Sequence, residues 1–159
     1  MKTDGPVSSN VGETAPSSEG GRGTKSNLVT VIRVGLIAVL ATYWSSMFFG
    51  THLPLMPQSL AGQSDKVLHC GAYFGLATLL LTWRISRGPV SFRDIVVIWL
   101  MIGLYGVFDE VTQPLVGRHA DLEDWLADLT GAAIGLGITW PIASWLLNRL
   151  PTLPDVAQP

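Results

Sequence analysis

The chain has 159 residues, of which 48% are hydrophobic and only 14% are charged, and its formal net charge is −2. Soluble domains carry about 25% charged residues, so this composition indicates a protein that faces lipid. The small net charge, and a sequence without a basic patch, zinc-ligand spacing or phosphate-binding loop, exclude nucleic acid as a partner. The single cysteine, Cys70, excludes an intramolecular disulfide.

Both ends of the chain are polar. Residues 1–27 are rich in Gly, Ser, Thr and Pro, and such a segment cannot bury enough apolar surface to offset its ordering entropy. We therefore predict a disordered cytoplasmic tail over residues 1–27 and a flexible C-terminal tail over residues 150–159. The first segment is too long and too weakly charged to begin a signal peptide, so we expect the apolar run after it to be an uncleaved anchor.

Four apolar runs separated by connectors with Pro or Gly lie between the tails: Leu28–Phe49, Lys66–Trp83, Ile95–Gln113 and Trp125–Leu147. About 20 helical residues cross the hydrocarbon core of a bilayer, and each run is close to that length. The runs are too long for barrel strands and do not alternate in polarity, which favours helices. The sequence thus predicts an all-α membrane protein, a bundle of four transmembrane helices.

Basic residues predict the orientation of this bundle, because Lys and Arg near the spans favour the cytoplasmic side. Seven of them share one side: Arg22, Lys25, Arg33, Arg84, Arg87, Arg93 and Arg149. The other side has Lys66 and Arg118. We expect a multi-pass protein of the cytoplasmic (inner) membrane with both termini in the cytoplasm.

Acidic residues concentrate at the opposite, outward end of the predicted bundle. Seven of the twelve lie there, in three separate stretches: Asp65, Asp109, Glu110, Asp121, Glu123, Asp124 and Asp128. Several of them fall inside the predicted helices, where random placement of connector charges would not put them. Glu123 is expected to be an ordinary solvated residue at the membrane interface.

Helical spacing places the polar residues of each helix on one face, because residues three, four or seven apart are neighbours there. Asp65, His69 and Tyr73 follow one another at steps of four in the second helix. Asp109, Glu110 and Gln113 share a broad face of the third. The stripe of the fourth comprises Asp121, Asp124, Asp128, Gly131 and Gly135. Its two glycines form a small-residue pair of the kind that lets membrane helices pack closely.

Four of these polar groups, His69, Tyr73, Glu110 and Asp128, lie about one or two turns inside their helices. Ionisable groups at such depth are costly unless they are paired or hydrated, so they must face the bundle interior or a wet cleft. We interpret them as part of a functional site. A structural network that holds the helices together by hydrogen bonds is the alternative.

Three segments of the chain resemble the VanZ-like family of bacterial membrane proteins. They are Asp65-Lys66-x-x-His69-x-x-x-Tyr73, then Asp109-Glu110-x-x-Gln113, and then Arg118 followed by Asp124, Asp128 and Gly131. The resemblance covers roughly residues 30 to 147 and implies a VanZ-like transmembrane domain over residues 28–149. The position of Asp128 is often Asn in that family, so the group there need not titrate.

The resemblance also implies a protein of the cell envelope, since the namesake of the family is associated with low-level resistance to the glycopeptide teicoplanin. The candidate functional residues, which we call the polar cluster, are Asp65, Lys66, His69, Tyr73, Asp109, Glu110, Gln113, Arg118, Asp121, Asp124 and Asp128. The first hypothesis is that this cluster binds a polar head group, such as that of a lipid-linked cell-wall precursor, or an envelope protein. Lys66 and Arg118 would then meet phosphate or carboxylate.

Two other hypotheses are open. The protein could be an intramembrane hydrolase or transferase that acts on a lipid, with His69 as general base and Glu110 or Asp124 orienting it. It could also be a purely structural scaffold. A carboxylate–histidine cluster can hold a divalent metal, but the sequence has no HExxH or related signature, so we expect neither metal nor cofactor.

Overall fold

The computed structural model describes residues 19–52 and 63–149, which form four α-helices and no strand. The helices are α1 (Glu19–His52), α2 (Gln63–Ile85), α3 (Phe92–Thr112) and α4 (Leu122–Arg149). A short 3₁₀ helix, Gln113–Val116, directly follows α3. The predicted four-helix, all-α architecture is confirmed.

Three segments in this described part are long and apolar enough to cross a membrane: Asn27–His52, Phe92–Val116 and Leu122–Arg149. Helix α2 has 23 residues, which at 1.5 Å per residue span about 34 Å, but its composition is less apolar than that of the other three. One face of α2 packs inside the bundle, where Tyr73, Leu76, Ala77 and Leu81 are completely buried.

Helix α1 begins at Glu19, earlier than the predicted start at Leu28. The predicted tail therefore contains helix over residues 19–27, because adding residues to an existing helix costs far less than nucleating one. The remaining predictions for the two tails, over residues 1–18 and 150–159, lie outside the described residues. The chain divides into two compact units between Ile32 and Arg33, and the second contains the rest of α1 together with α2, α3 and α4.

The core of this unit is apolar and joins all four helices. Besides α2, it contains Met47 of α1, Ile102 of α3, and Ala132 and Leu136 of α4, all buried. Outward side chains of α3 and α4 are apolar as well: Leu104, for example, is 72% exposed. Such exposure is expected for a helix that contacts lipid, since lipid tails solvate apolar side chains as well as a protein core does.

Helices α2 and α4 pack most closely where α4 has glycine. A Cβ atom added at Gly131 would overlap the backbone carbonyl of Cys70, and one at Gly135 would lie 2.7 Å from the Phe74 carbonyl oxygen. The backbones can therefore approach only because these positions lack side chains. This contact brings the N-terminal turns of α2 and α4, with their ionisable residues, next to each other.

The two ends of the bundle differ in chemistry. At one end, which we call the basic end, Arg84 of α2 pairs with Asp94 of α3 at 3.0 Å. Arg33 of α1 donates two hydrogen bonds to the Ser86 carbonyl oxygen there, at 2.9 and 3.1 Å. Ser91 and Asp94 form a capping box that starts α3. The other end, the acidic end, contains the polar cluster.

Candidate functional site

The acidic end is formed by the C-terminal ends of α1 and α3 and the N-terminal turns of α2 and α4. All eleven residues of the polar cluster lie there, and six of its polar or charged members are buried: His69, Asp109, Glu110, Gln113, Asp124 and Asp128. Tyr73 is completely buried too. The helical faces predicted from spacing therefore point toward one another and not toward lipid.

His69 and Asp128 form the most deeply buried hydrogen-bonded pair described in the cluster. The His69 Nδ1 atom lies 2.9 Å from Asp128 Oδ1, and their side chains are 3% and 0% exposed. The partner of His69 is thus Asp128, whereas the sequence suggested Glu110 or Asp124. The second oxygen, Asp128 Oδ2, is buried without a hydrogen-bond partner among the described residues. A hydrogen bond to Nδ1 fixes the orientation of the imidazole ring and directs Nε2 to the opposite side.

Tyr73 lies one turn deeper than His69 on α2. The two rings are stacked, with centroids 6.5 Å apart, and Tyr73 also contacts Tyr105 of α3 at 6.1 Å. Neither tyrosine hydroxyl has a hydrogen-bond partner within the described residues. Buried hydroxyl groups are rarely left unpaired in folded proteins, so the floor of the cluster holds more polar atoms than its own side chains satisfy.

Neighbouring acids on α3 point in different directions. Asp109 Oδ1 accepts a hydrogen bond from Thr51 Oγ1 at 2.9 Å, which ties α3 to the end of α1. Glu110 Oε2 accepts the backbone N–H of Asp121 at 2.7 Å, which ties α3 to the start of α4. Gln113 Nε2 donates to both carboxylates at 3.4 Å. Both acids therefore belong to the cluster, which spacing alone left open.

Lys66 is surrounded by three carboxylates at the rim of the cluster. Its Nζ atom lies 3.1 Å from Asp121, 3.1 Å from Glu123 and 3.2 Å from Asp124. The backbone N–H of Glu123 and then the Lys66 ammonium donate to the Asp121 carboxylate, and they hold its pKa below the ordinary value. Glu123 is largely exposed, as expected, yet it contacts Lys66.

Arg118 contacts both the end of α1 and the start of α2. Its guanidinium donates to the Thr51 carbonyl oxygen and to Asp65 Oδ2, each at 3.0 Å. Gly117 makes this possible, because its φ of 81° lies in the left-handed region that favours glycine and ends the 3₁₀ helix with a sharp turn. Lys66 and Arg118 are thus both paired with acids of the protein.

The end of α1 supplies two polar residues that are not in the predicted cluster. Besides Thr51, His52 lies with one ring nitrogen 2.9 Å from Thr112 Oγ1 and the other 3.6 Å from Asp109. Neither Thr51 nor His52 is among the residues predicted for the polar cluster. A Thr-His pair at the end of an apolar run is the signal that could have identified them.

An apolar groove leads from the outer surface to the polar cluster. It has a volume of about 350 Å³ and lies between α3 and the start of α4. Its lining residues are Val107, Glu110, Val111, Ala120, Asp121, Leu122 and Trp125. The Trp125 indole donates to the Gly103 carbonyl oxygen at 3.0 Å, which fixes one wall of the groove. Glu110 belongs to both the groove and the buried cluster, so it joins an apolar surface to a polar interior.

Two sets of three side chains have the spacing to hold a metal ion. One is Asp65, His69 and Asp124, and the other, fully buried, is His69, Glu110 and Asp128; within each set the ligand atoms lie within 4.8 Å of one another. The first set comes from two helices, α2 and α4, and the second from three, α2, α3 and α4. A search for short linear metal motifs therefore could not have found them.

Taken together, the helices and the cluster define a polytopic α-helical membrane protein with a buried polar site at one end of its bundle. The chain belongs to the VanZ/LLP1 family, whose model matches residues 8–146. The predicted membership is confirmed. A search of curated proteins finds no match to the chain, and a search of solved structures also finds none.

Proposed function

We propose that the protein is an accessory component of the bacterial cell envelope that binds a lipid at the acidic end of the bundle. The observation that carries this proposal is the groove beside Glu110. Its apolar wall, which includes Val107, Val111 and Trp125, suits an alkyl chain, and its polar end opens on the cluster. Sites for small molecules commonly combine an apolar lining with a few buried polar groups.

The cluster favours a head group that donates hydrogen bonds. Lys66 and Arg118 are already paired with Asp121, Asp124 and Asp65, so they offer little to a phosphate. The buried carboxylates of Glu110 and Asp128 are acceptors and have no Lys or Arg partner in the described part of the chain. Hydroxyl and amino groups match such acceptors, and lipid-linked cell-wall precursors carry both.

The proposal places the acidic end outside the cytoplasmic membrane, as the distribution of Lys and Arg predicts. A lipid-linked wall precursor reaches the outer leaflet before its head group is used. A protein that holds this head group would change how accessible it is to glycopeptide antibiotics. We therefore expect the protein to alter susceptibility to teicoplanin-type glycopeptides.

Binding of a fluorescent lipid-linked wall precursor to the purified protein in nanodiscs tests the proposal. The substitution Val111→Trp fills the groove with a larger side chain, and we expect it to weaken binding about tenfold, which corresponds to about 1.4 kcal/mol. Leu104→Trp is the matched control, because Leu104 is on the same helix, is 72% exposed and does not line the groove. Equal affinity for both variants, or equal binding of an ordinary phospholipid, would refute the proposal.

The His69–Asp128 pair supports a second candidate, the lipid hydrolase or transferase. An imidazole held through Nδ1 by a buried carboxylate resembles the base–orienter arrangement of general-base catalysis. The test is incubation of the same precursor with the protein, followed by chromatographic separation of products. A product formed by the wild type but not by His69→Gln would show that the protein is a lipid hydrolase or transferase. Recovery of unchanged precursor would support binding without catalysis.

A further inference from the structure

We propose that His69, Glu110 and Asp128 bind one divalent first-row cation, with Zn²⁺ as the reference ion. The three side chains are buried and come from α2, α3 and α4, and one ligand atom of each lies within 4.8 Å of the others. A Zn²⁺ ion with bonds of 2.0–2.2 Å keeps its ligand atoms about 3–4 Å apart. His69 Nδ1 and Asp128 Oδ1 lie 2.9 Å apart, so an ion bound by both would replace their hydrogen bond, and the rest of the closure would need only small side-chain movements.

Charge distinguishes this set from the neighbouring one. Asp65 already pairs with Arg118 at 3.0 Å, and Asp124 with Lys66 at 3.2 Å. Glu110 and Asp128 have no Lys or Arg partner among residues 19–52 and 63–149, and His69 can neutralise one of them at most. Two buried carboxylates with one imidazole therefore have a deficit of positive charge, which a divalent cation removes.

The second, independent observation is the orphaned oxygen of Asp128. Oδ2 is buried without a hydrogen-bond partner in the described structure, and the side chain is completely buried. It points toward α3, where a Cβ atom at Gly106 would lie 3.1 Å away, one turn before Glu110. A buried carboxylate oxygen normally has a partner, and a cation between α2, α3 and α4 would supply it.

The neighbours of Glu110 hold it in place for such a role. Its Oε2 accepts the Asp121 backbone N–H at 2.7 Å and its Oε1 accepts Gln113 Nε2 at 3.4 Å. Hydrogen bonds of this kind orient the carboxylate ligands of metal sites. One imidazole and two carboxylates suit Zn²⁺ or Mn²⁺ better than Ca²⁺ or Mg²⁺, which prefer oxygen ligands only.

A cation at this site would extend the proposed function, lipid binding at the acidic end. This part of the inference rests on that function. Glu110 also lines the groove, so an ion bound to it would face a lipid head group. The ion would then allow a phosphate to approach a cluster in which acids outnumber basic residues. Metal binding itself does not depend on the lipid, which keeps the two proposals separable.

The test uses the full chain, purified in detergent through an affinity tag without histidine and treated with a chelator. We expect isothermal titration to show one tightly bound Zn²⁺ per chain and elemental analysis to recover it after desalting. His69→Gln and Asp128→Asn should each weaken binding about a hundredfold or more, because each removes a ligand. His119→Gln, which changes an exposed connector histidine, should bind as the wild type does.

Circular dichroism establishes that the variants fold, and Glu110→Gln and Asp124→Asn then identify the ligand set. Loss of Zn²⁺ binding in Glu110→Gln, together with unchanged Zn²⁺ binding in Asp124→Asn, supports the proposed site. The reverse pattern, or a wild type that binds no Zn²⁺, overturns it. Zn²⁺ binding without lipid binding would refute the proposed function alone, and precursor binding without any Zn²⁺ affinity would refute the metal site alone.

Discussion

The carboxylate of Asp128 makes one contact that the sequence did not predict and lacks another that a buried carboxylate normally has. Its Oδ1 holds His69, and its Oδ2 has no partner within the described residues. Spacing placed Asp128 on the correct face of α4, together with Asp124. Which of the two reaches His69 depends on the rotation of α4 about its axis, and a one-dimensional pattern does not contain that angle.

At the residue scale, we predict that Asp128→Ala destabilises the protein more than Asp128→Asn. Alanine leaves the buried His69 Nδ1 atom without a partner and opens a cavity, at a cost of roughly 1–3 kcal/mol. Asparagine retains an oxygen that can accept from Nδ1. Thermal unfolding of both variants in detergent with a chelator present measures the difference, and equal midpoints would contradict the importance of this hydrogen bond.

Lys66 and Arg118 have partners that residue type alone did not predict. The sequence suggested that both meet an anionic head group, because both lie at the acidic end. The structure shows each one paired with acids of the protein itself, Lys66 with three of them and Arg118 with Asp65. The physical reason is local charge, since seven acids lie near only two basic residues, and each basic side chain therefore finds a carboxylate of the protein itself.

Helix α2 is the element on which hydropathy and structure disagree. It was predicted as a transmembrane helix like the other three, and it is long enough, but it is less apolar than they are. Its polar face explains this, because His69 and Tyr73 are buried against the other helices and not exposed to lipid. The polar stripe thus marks the face of α2 that packs inside the bundle.

At the element scale, we predict that Gly131→Ala separates α2 from α4. The new Cβ would overlap the backbone carbonyl of Cys70, and a backbone carbonyl can yield only if the helix moves. Overpacking of this kind costs about 1–3 kcal/mol. A lower unfolding temperature in detergent, with weaker binding at the acidic end, is the expected result.

Gly137→Ala is the matched control for this experiment. Gly137 lies on the same helix, but a Cβ atom there would have nothing within 4 Å. Because alanine favours helix over glycine by about 1 kcal/mol, this variant should be as stable as the wild type or slightly more so. If Gly131→Ala behaves in the same way as Gly137→Ala, close backbone packing does not hold α2 and α4 together.

On the scale of the whole molecule, the two ends of the bundle carry opposite charge. Arg33, Arg84 and Arg87 lie at the basic end, where they contact Ser86, Asp94 and the Trp83 ring. The acids of the polar cluster lie at the other end. The positive-inside rule converts this asymmetry into a direction across the membrane.

We predict that the acidic end faces outside and the basic end faces the cytoplasm. In a Cys70→Ser background, which removes the one native thiol, His119→Cys should react with a membrane-impermeant maleimide in intact cells. Arg93→Cys should react only after the cells are permeabilised. Both positions are exposed, so accessibility to the reagent depends on the side of the membrane. The reverse labelling pattern would invert the predicted topology.

Much of the fold could be predicted because membrane-spanning helices are encoded locally. Runs of about 20 apolar residues define the helices, and steps of three and four placed Asp65, His69 and Tyr73 on one face. The start of α1 could not be predicted in this way. Its first turns contain polar and glycine residues, and only the continuity of the helix back to Glu19 shows that they are helical.

The sequence by itself determined that ionisable residues gather at one end of a helical bundle, because hydropathy and spacing act over neighbouring residues. The tertiary structure decided which of these residues meet: His69 with Asp128, Lys66 with three acids, and Glu110 with the edge of an apolar groove. The partners in these contacts are 11 to 59 positions apart in the sequence. They depend on helix rotation and on the close packing at Gly131, which are properties of the assembled bundle and not of any one segment.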